Sequence, residues 1–117
     1  MDYAARRRWR YFETDSGRRP VREFIDTLNT QDRATIRQRM QKAARDEFPS
    51  KPLTATIHEL KIAGTDQTFR LLFARQGRHD QILLALEAFS KKTTKTPRRS
   101  IALAERRLAD WRARGKT

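Results

Sequence analysis

The 117-residue chain contains no cysteine, which excludes a disulfide framework and any thiolate metal site and fits a reducing compartment. Long apolar runs are missing as well. The longest, Ile82 to Leu86, is far short of the ~20 residues that a membrane span needs. The opening residues, which lead into Arg6, Arg7 and Arg8, lack the apolar stretch of a signal peptide. These absences predict a cytoplasmic protein with no membrane contact. Glycine and proline are scarce at four each, and no repeat, low-complexity tract or linker interrupts the chain. Its length therefore predicts one domain over residues 1–117.

Acidic residues are also few. Asp and Glu number 14 against 27 Lys and Arg, a formal charge of +13. A field of that size attracts polyanions and speeds their capture, so nucleic acid is the expected partner. The excess is uneven: residues 1–50 carry 12 basic and 8 acidic groups, residues 91–117 carry 10 basic and 2 acidic.

The apolar residues, though sparse, fall in periodic clusters. Trp9 to Phe12 alternate before the turn signal Asp15-Ser16-Gly17, so residues 8–13 read as a strand. Pro20 opens a helix with Val21, Phe24, Ile25 and Leu28 on one face, and Ile36, Met40, Ala43 and Ala44 mark a second that runs to about Glu47. The pair reads as a helical hairpin. Residues 57–62, 69–75 and 81–89, separated by short Gly-containing turns, read as an antiparallel meander, with Ile82 to Leu86 apolar on both faces as a central strand requires. Thr96-Pro97 reads as the N-cap and first position of a last helix, on which Ile101, Ala104, Leu108 and Trp111 share one face. The expected fold class is α+β in the order β-α-α-β-β-β-α. Its sheet is small and mostly antiparallel, the hairpin packs on one side, and the last helix lies nearby.

Standard catalytic signatures are missing: there is no Gly-rich phosphate loop, His/Cys ligand cluster or nucleophile elbow. The two histidines are His58, which shares a strand with Lys61, and His79, in a polar turn; each reads as a structural or exposed residue or as a general base. The segment Phe89-Ser90-Lys91-Lys92-Thr93-Thr94-Lys95-Thr96-Pro97-Arg98-Arg99 places five cations among hydroxyls between a central strand and a helix. Such a set can stabilise charge developing on phosphoryl oxygens; a solvated basic loop fits the same composition. Arg70 likewise reads two ways, as a phosphate ligand or as a cross-strand ion pair with Glu59 or Glu87. Trp9 and Tyr11 suit base stacking or core packing.

The element order, Ile57 to Ile62, Phe69 to Phe73, and above all the string Phe89-Ser90-Lys91-Lys92-Thr93 through Lys95-Thr96-Pro97 resemble the HigB branch of the RelE/ParE superfamily. These are phage-derived or HigB-like toxins of type II toxin–antitoxin modules. The resemblance spans roughly residues 8–112. It implies a ribosome-dependent mRNA endoribonuclease that uses no metal or cofactor, because the ribose 2′-hydroxyl attacks the adjacent phosphate. It also implies a cognate antitoxin, helix-turn-helix in type and encoded alongside. Position by position, Lys61 and Arg70 match basic strand residues facing the substrate groove, Lys91 and Lys92 match the basic motif ending the last strand, and Lys95 matches less closely. Lys95, Arg98, Arg99, Arg106, Arg107 and His58 then form the expected RNA-binding set, with the arginine-rich last helix suited to docking on the ribosome. The chain departs from the pattern at Phe73, where many relatives have Tyr, and at Glu87, where His or another polar group is frequent. It has no counterpart of the C-terminal Tyr of some RelE-type enzymes, which leaves Thr93 or Thr94 as hydroxyls to orient a phosphate. Two other outcomes fit the same residues: ParE-like inhibition of DNA gyrase, and non-catalytic binding of nucleic acid.

Overall fold

The computed structural model describes residues 7–90 and 95–115. Its elements run β1 (Arg8–Tyr11), α1 (Pro20–Asp26), α2 (Thr30–Ala44), β2 (Lys51–Pro52), β3 (His58–Ala63), β4 (Thr68–Gln76), β5 (Ile82–Ser90) and α3 (Arg98–Ala113), with a short 3-10 turn at Arg78–Asp80. They build an α+β architecture around one five-stranded sheet in the order β1-β5-β4-β3-β2. Strands β3, β4 and β5 form the expected antiparallel meander. The two-residue β2 adds an antiparallel edge that the expected element order omits; a strand this short, containing a proline, has no alternation to read. Strand β1 runs parallel to β5, Arg8 opposite Ile82 and Tyr11 opposite Ala85, so the sheet is mixed. Parallel neighbours need a crossover rather than a hairpin, and the crossover here includes both helices of the N-terminal half.

Alternation along the strands sends successive side chains to opposite faces, and both faces are covered. On one, Leu60, Ile62, Phe69, Leu71, Phe73, Leu83 and Ala85 pack against Val21 and Ile25 of α1 and Ile36, Met40, Ala43 and Ala44 of α2. On the other, Ile57, Leu72, Ala74, Leu84 and Leu86 meet Ala104, Leu108 and Trp111 of α3, together with Phe12. The last helix is thus not merely near the hairpin but across the sheet from it. This arrangement explains why Ile82 to Leu86 is apolar throughout: β5 is buried on both sides.

A bulge resets β5 near its end. Leu72 pairs with Glu87 while the next residue, Phe73, pairs with Ala85, so Leu86 is the extra residue. Beyond it the faces exchange: Phe89 joins the α3 side and Ala88 the hairpin side.

Two polar ties fix the corners. Asn29 caps α2 by accepting from the Asp32 amide at 2.8 Å, and the buried Asp32 carboxylate accepts from the Thr65 amide at 2.9 Å and the Thr65 hydroxyl at 3.2 Å. The helix start is thereby locked to the β3–β4 turn, where Gly64 leaves no room for a Cβ against the Phe69 ring. At α3 the cap is Pro97 rather than Thr96, in extended backbone and without a side-chain cap bond. The Thr96 hydroxyl instead donates to the Glu59 carboxylate, a competing partner that the local Thr-Pro signal does not reveal. Trp111 is the expected core anchor, 1% exposed.

Candidate functional site

At one end of the α3 side of the sheet, the apolar surface gives way to charge. On β3 the residues after Ile57 on that face are Glu59 and Lys61, and on β4 the residue beyond Leu72 is Arg70. Lys61 stands directly opposite Arg70, and Lys51 of β2 directly opposite Glu59. These side chains, with Phe48, Pro49 and Ser50, line a cleft of about 330 Å³.

The two basic residues differ in setting. Lys61 is exposed. The Arg70 side chain is 3% exposed, and its Nη1 donates to Glu59 Oε1 at 2.8 Å, with Glu59 equally buried. Of the two cross-strand pairings open to Arg70 the chain uses Glu59, while Glu87 pairs with Arg107 at 3.5 Å. Burying two charges is tolerated only when they are matched in this way. A guanidinium carries five N–H donors, and Arg70 lines the cleft while holding this ion pair. The second Glu59 oxygen accepts from Thr96, which brings the segment entering α3 to the cleft margin.

The other residues singled out from the sequence are placed as follows. Lys95, Arg98, Arg99 and Arg106 are exposed, a cationic strip along the start and outer side of α3. Arg107 departs from that set. Its Nη1 donates to the Leu86 carbonyl at 2.7 Å and faces Glu87, and its guanidinium sits 5.6 Å from the Phe12 ring centre, so it secures α3 to the sheet. The partly buried Glu87 has its carboxyl pushed above the ordinary range by burial, against the pull of Arg107.

His58 is not brought to the cleft. It is one residue from Glu59 and so lies on the hairpin face, its ring 5.5 Å from that of Phe73. Burial, reinforced by Arg75 and opposed by Asp80, pulls its pKa below the usual value. Phe73 is buried on the same face, so a tyrosine hydroxyl there would not open onto Arg70. Trp9 is a packing residue: it donates Nε1–H to the Met40 carbonyl at 2.7 Å and meets Phe73 edge-on at 5.1 Å. Tyr11 is part-buried beside it, and burial raises its phenol pKa. Lys91, Lys92, Thr93 and Thr94 lie outside the described residues.

Sequence reasoning missed Lys51, the wall from Phe48 to Ser50, and the joint role of Glu59. The available signal was the spacing of Glu59 and Lys61, which puts both on one face of a strand. Among the described residues no group of three His, Cys, Asp or Glu is placed to hold a metal ion, and no helix is long and apolar enough to cross a membrane.

The cleft residues all fall within a stretch matched by a known family. Residues 23–109 match the family described as phage derived protein Gp49-like (DUF891). Two proteins, from Mycobacterium tuberculosis strains CDC 1551 / Oshkosh and ATCC 25618 / H37Rv, each named probable endoribonuclease HigB1, are 37% identical to the chain over 121 residues. The match covers 99% of this chain and 94% of each of theirs. By family match and by identity over nearly its whole length, the chain belongs to the phage-derived Gp49-like family and is HigB-like.

Proposed function

We propose that the protein is the toxin of a type II toxin–antitoxin module, a cytoplasmic, ribosome-dependent endoribonuclease that cuts mRNA and so inhibits translation. The observation that carries this reading is the cleft in which Arg70 and Lys61 stand opposite each other, in a chain 37% identical to probable endoribonucleases.

The reaction is attack of a ribose 2′-hydroxyl on the adjacent phosphorus: the 2′-oxygen loses its proton as the new O–P bond forms, the bond from phosphorus to the 5′-oxygen breaks, and that oxygen takes up a proton, leaving a cyclic phosphate and a 5′-hydroxyl with no metal required. Negative charge grows on the non-bridging oxygens, and fixed cations lining the cleft are the groups that lower such a barrier. Arg70, at the cleft floor, presents a planar donor fork suited to phosphate. Lys61 supplies a second charge from the facing strand. Lys91 and Lys92 are assigned to the same oxygens on sequence grounds alone. The exposed Lys95, Arg98, Arg99 and Arg106 supply the sequence-independent attraction to RNA that docking on a ribosome uses. An antitoxin encoded alongside would neutralise the chain by covering this basic surface.

Primer extension on mRNA from translating ribosomes tests the reading. Wild type is expected to give codon-phased cuts, and Arg70→Lys, which keeps a cation for Glu59 but removes the fork, to weaken them by about 10²-fold. Intact mRNA accompanied by DNA damage would support gyrase inhibition instead. Intact mRNA without growth arrest would leave a binding module.

A further inference from the structure

We infer that Glu59 is a positioning residue: its buried carboxylate ties the floor of the cleft to the segment that enters α3, through Arg70 on one oxygen and Thr96 on the other. This rests on the nuclease reading above and adds to it a group that does not touch the phosphate.

The argument starts from burial. A carboxylate 4% exposed at the edge of an apolar core is retained only where both oxygens are matched. Here one oxygen holds Arg70 Nη1 at 2.8 Å and the other accepts from the Thr96 hydroxyl. The partners come from different parts of the chain, 11 residues away on the adjacent strand and 37 residues away beyond the end of β5. Glu59 therefore fixes two things together: the orientation of the Arg70 fork, and the distance from that fork to Lys95, Arg98 and Arg99. Its charge also sits among Lys51, Lys61 and Arg70 in the cleft wall, where it offsets repulsion that would otherwise spread them. With both oxygens engaged, Glu59 works by holding other groups in place. The diversion of Thr96 from the cap of α3 is what makes the tie possible. The helix starts at Arg98 behind the Pro97 cap and without a side-chain cap bond, so a hydroxyl that could have served the helix serves the cleft.

Substitution of Thr96 is the cleaner test, because it cuts one arm of the tie without leaving Arg70 unmatched. In the full-length chain, Thr96→Val is expected to lower the single-turnover cleavage rate on ribosome-bound mRNA by about 10- to 100-fold, the usual consequence of a small misplacement at a reacting centre. Affinity for a 2′-O-methyl oligoribonucleotide, which cannot undergo the attack, should stay within about twofold. Thr96→Ser, which keeps the hydroxyl, should cleave within about threefold of wild type. Amide exchange at Ser100 and Ile101, whose N–H groups donate to the Pro97 carbonyl at the start of α3, should quicken in the Val variant and not in the Ser variant. Equal cleavage by Thr96→Val and wild type, or equal losses in Val and Ser, would overturn the inference. If wild type itself cuts no RNA the nuclease reading fails, and the exchange measurement still decides the tie: unchanged protection in Thr96→Val rules it out.

Discussion

The two faces of the sheet begin alike and end differently. Under the helical hairpin the apolar surface continues along β3 and β4 through Leu60, Ile62, Phe69 and Leu71. Under α3 it stops at Ile57 and Leu72 and is replaced by Glu59, Lys61 and Arg70. One face is thus devoted to stability over its full length, while the other divides between a core and a charged cleft. Because strand side chains alternate, the division operates residue by residue: Leu60 is fully buried and Lys61, its neighbour, is exposed.

That adjacent pair gives the sharpest way to break the comparison. Lys61→Ala is expected to reduce single-turnover cleavage by about 10²- to 10³-fold, as losing one electrostatic contact to a transition state does, and to move unfolding by no more than about 0.5 kcal/mol. Leu60→Ala should cost about 2–5 kcal/mol through lost transfer and a residual cavity, with the rate per folded molecule preserved. Urea unfolding and single-turnover kinetics on both variants check the pattern. Loss of activity without loss of stability in Leu60→Ala would show that the faces are not separable.

A second contrast concerns what holds each face. Glu59→Ala removes the carboxylate to which a buried guanidinium donates and should cost about 3–5 kcal/mol. Yet the double change Glu59→Met with Arg70→Leu should return stability to within about 1 kcal/mol of wild type, because buried ion pairs are often no better than apolar residues of similar volume. Cleavage should remain lost. A double variant that is both stable and active would remove Arg70 from the reaction.

Much of this frame was legible. Strands β3, β4 and β5 fall within a residue or so of residues 57–62, 69–75 and 81–89, and the spacing of Ile101, Ala104, Leu108 and Trp111 gave α3 its buried stripe. An apolar stripe, however, does not say which face of a sheet it will meet, so the placement of α3 opposite the hairpin was not readable. Nor was the parallel pairing of β1 with β5, which no local turn encodes. The end of α2 at Ala44 rather than near Glu47 follows from Asp46 adopting a positive φ of 58°. At the site, the resemblance marks Lys61 and Arg70 as basic strand residues facing a groove, and the structure sets them opposite each other on adjoining strands. His58, expected in the RNA-binding set, lies on the opposite face of the sheet from Lys61 and Arg70, as strand alternation requires. Arg107 resembled Arg106 in composition, and only its contacts to Leu86 and Glu87 distinguish an anchor from an exposed cation.

His58 supplies the smallest and most selective test, because it separates acid sensitivity of the hairpin face from chemistry in the cleft. Its folded pKa lies below the usual value because burial and Arg75 disfavour the imidazolium more than Asp80 favours it. The unfolded chain takes up its proton near about pH 6.5, so below that pH the unfolded state binds more protons at this position, and stability falls as pH drops toward the folded pKa. Well above that pH both states are neutral and the contribution vanishes. His58→Phe, which keeps an aromatic ring against Phe73, should flatten the decline in unfolding midpoint between roughly pH 7 and 5 while leaving cleavage at neutral pH unchanged. The check is a pair of urea titrations at several pH values beside one cleavage assay. An unaltered pH profile would show that the acid sensitivity arises elsewhere, whereas lost cleavage with intact stability would support the RNA-binding reading of His58 and make the sheet's two faces a single functional unit.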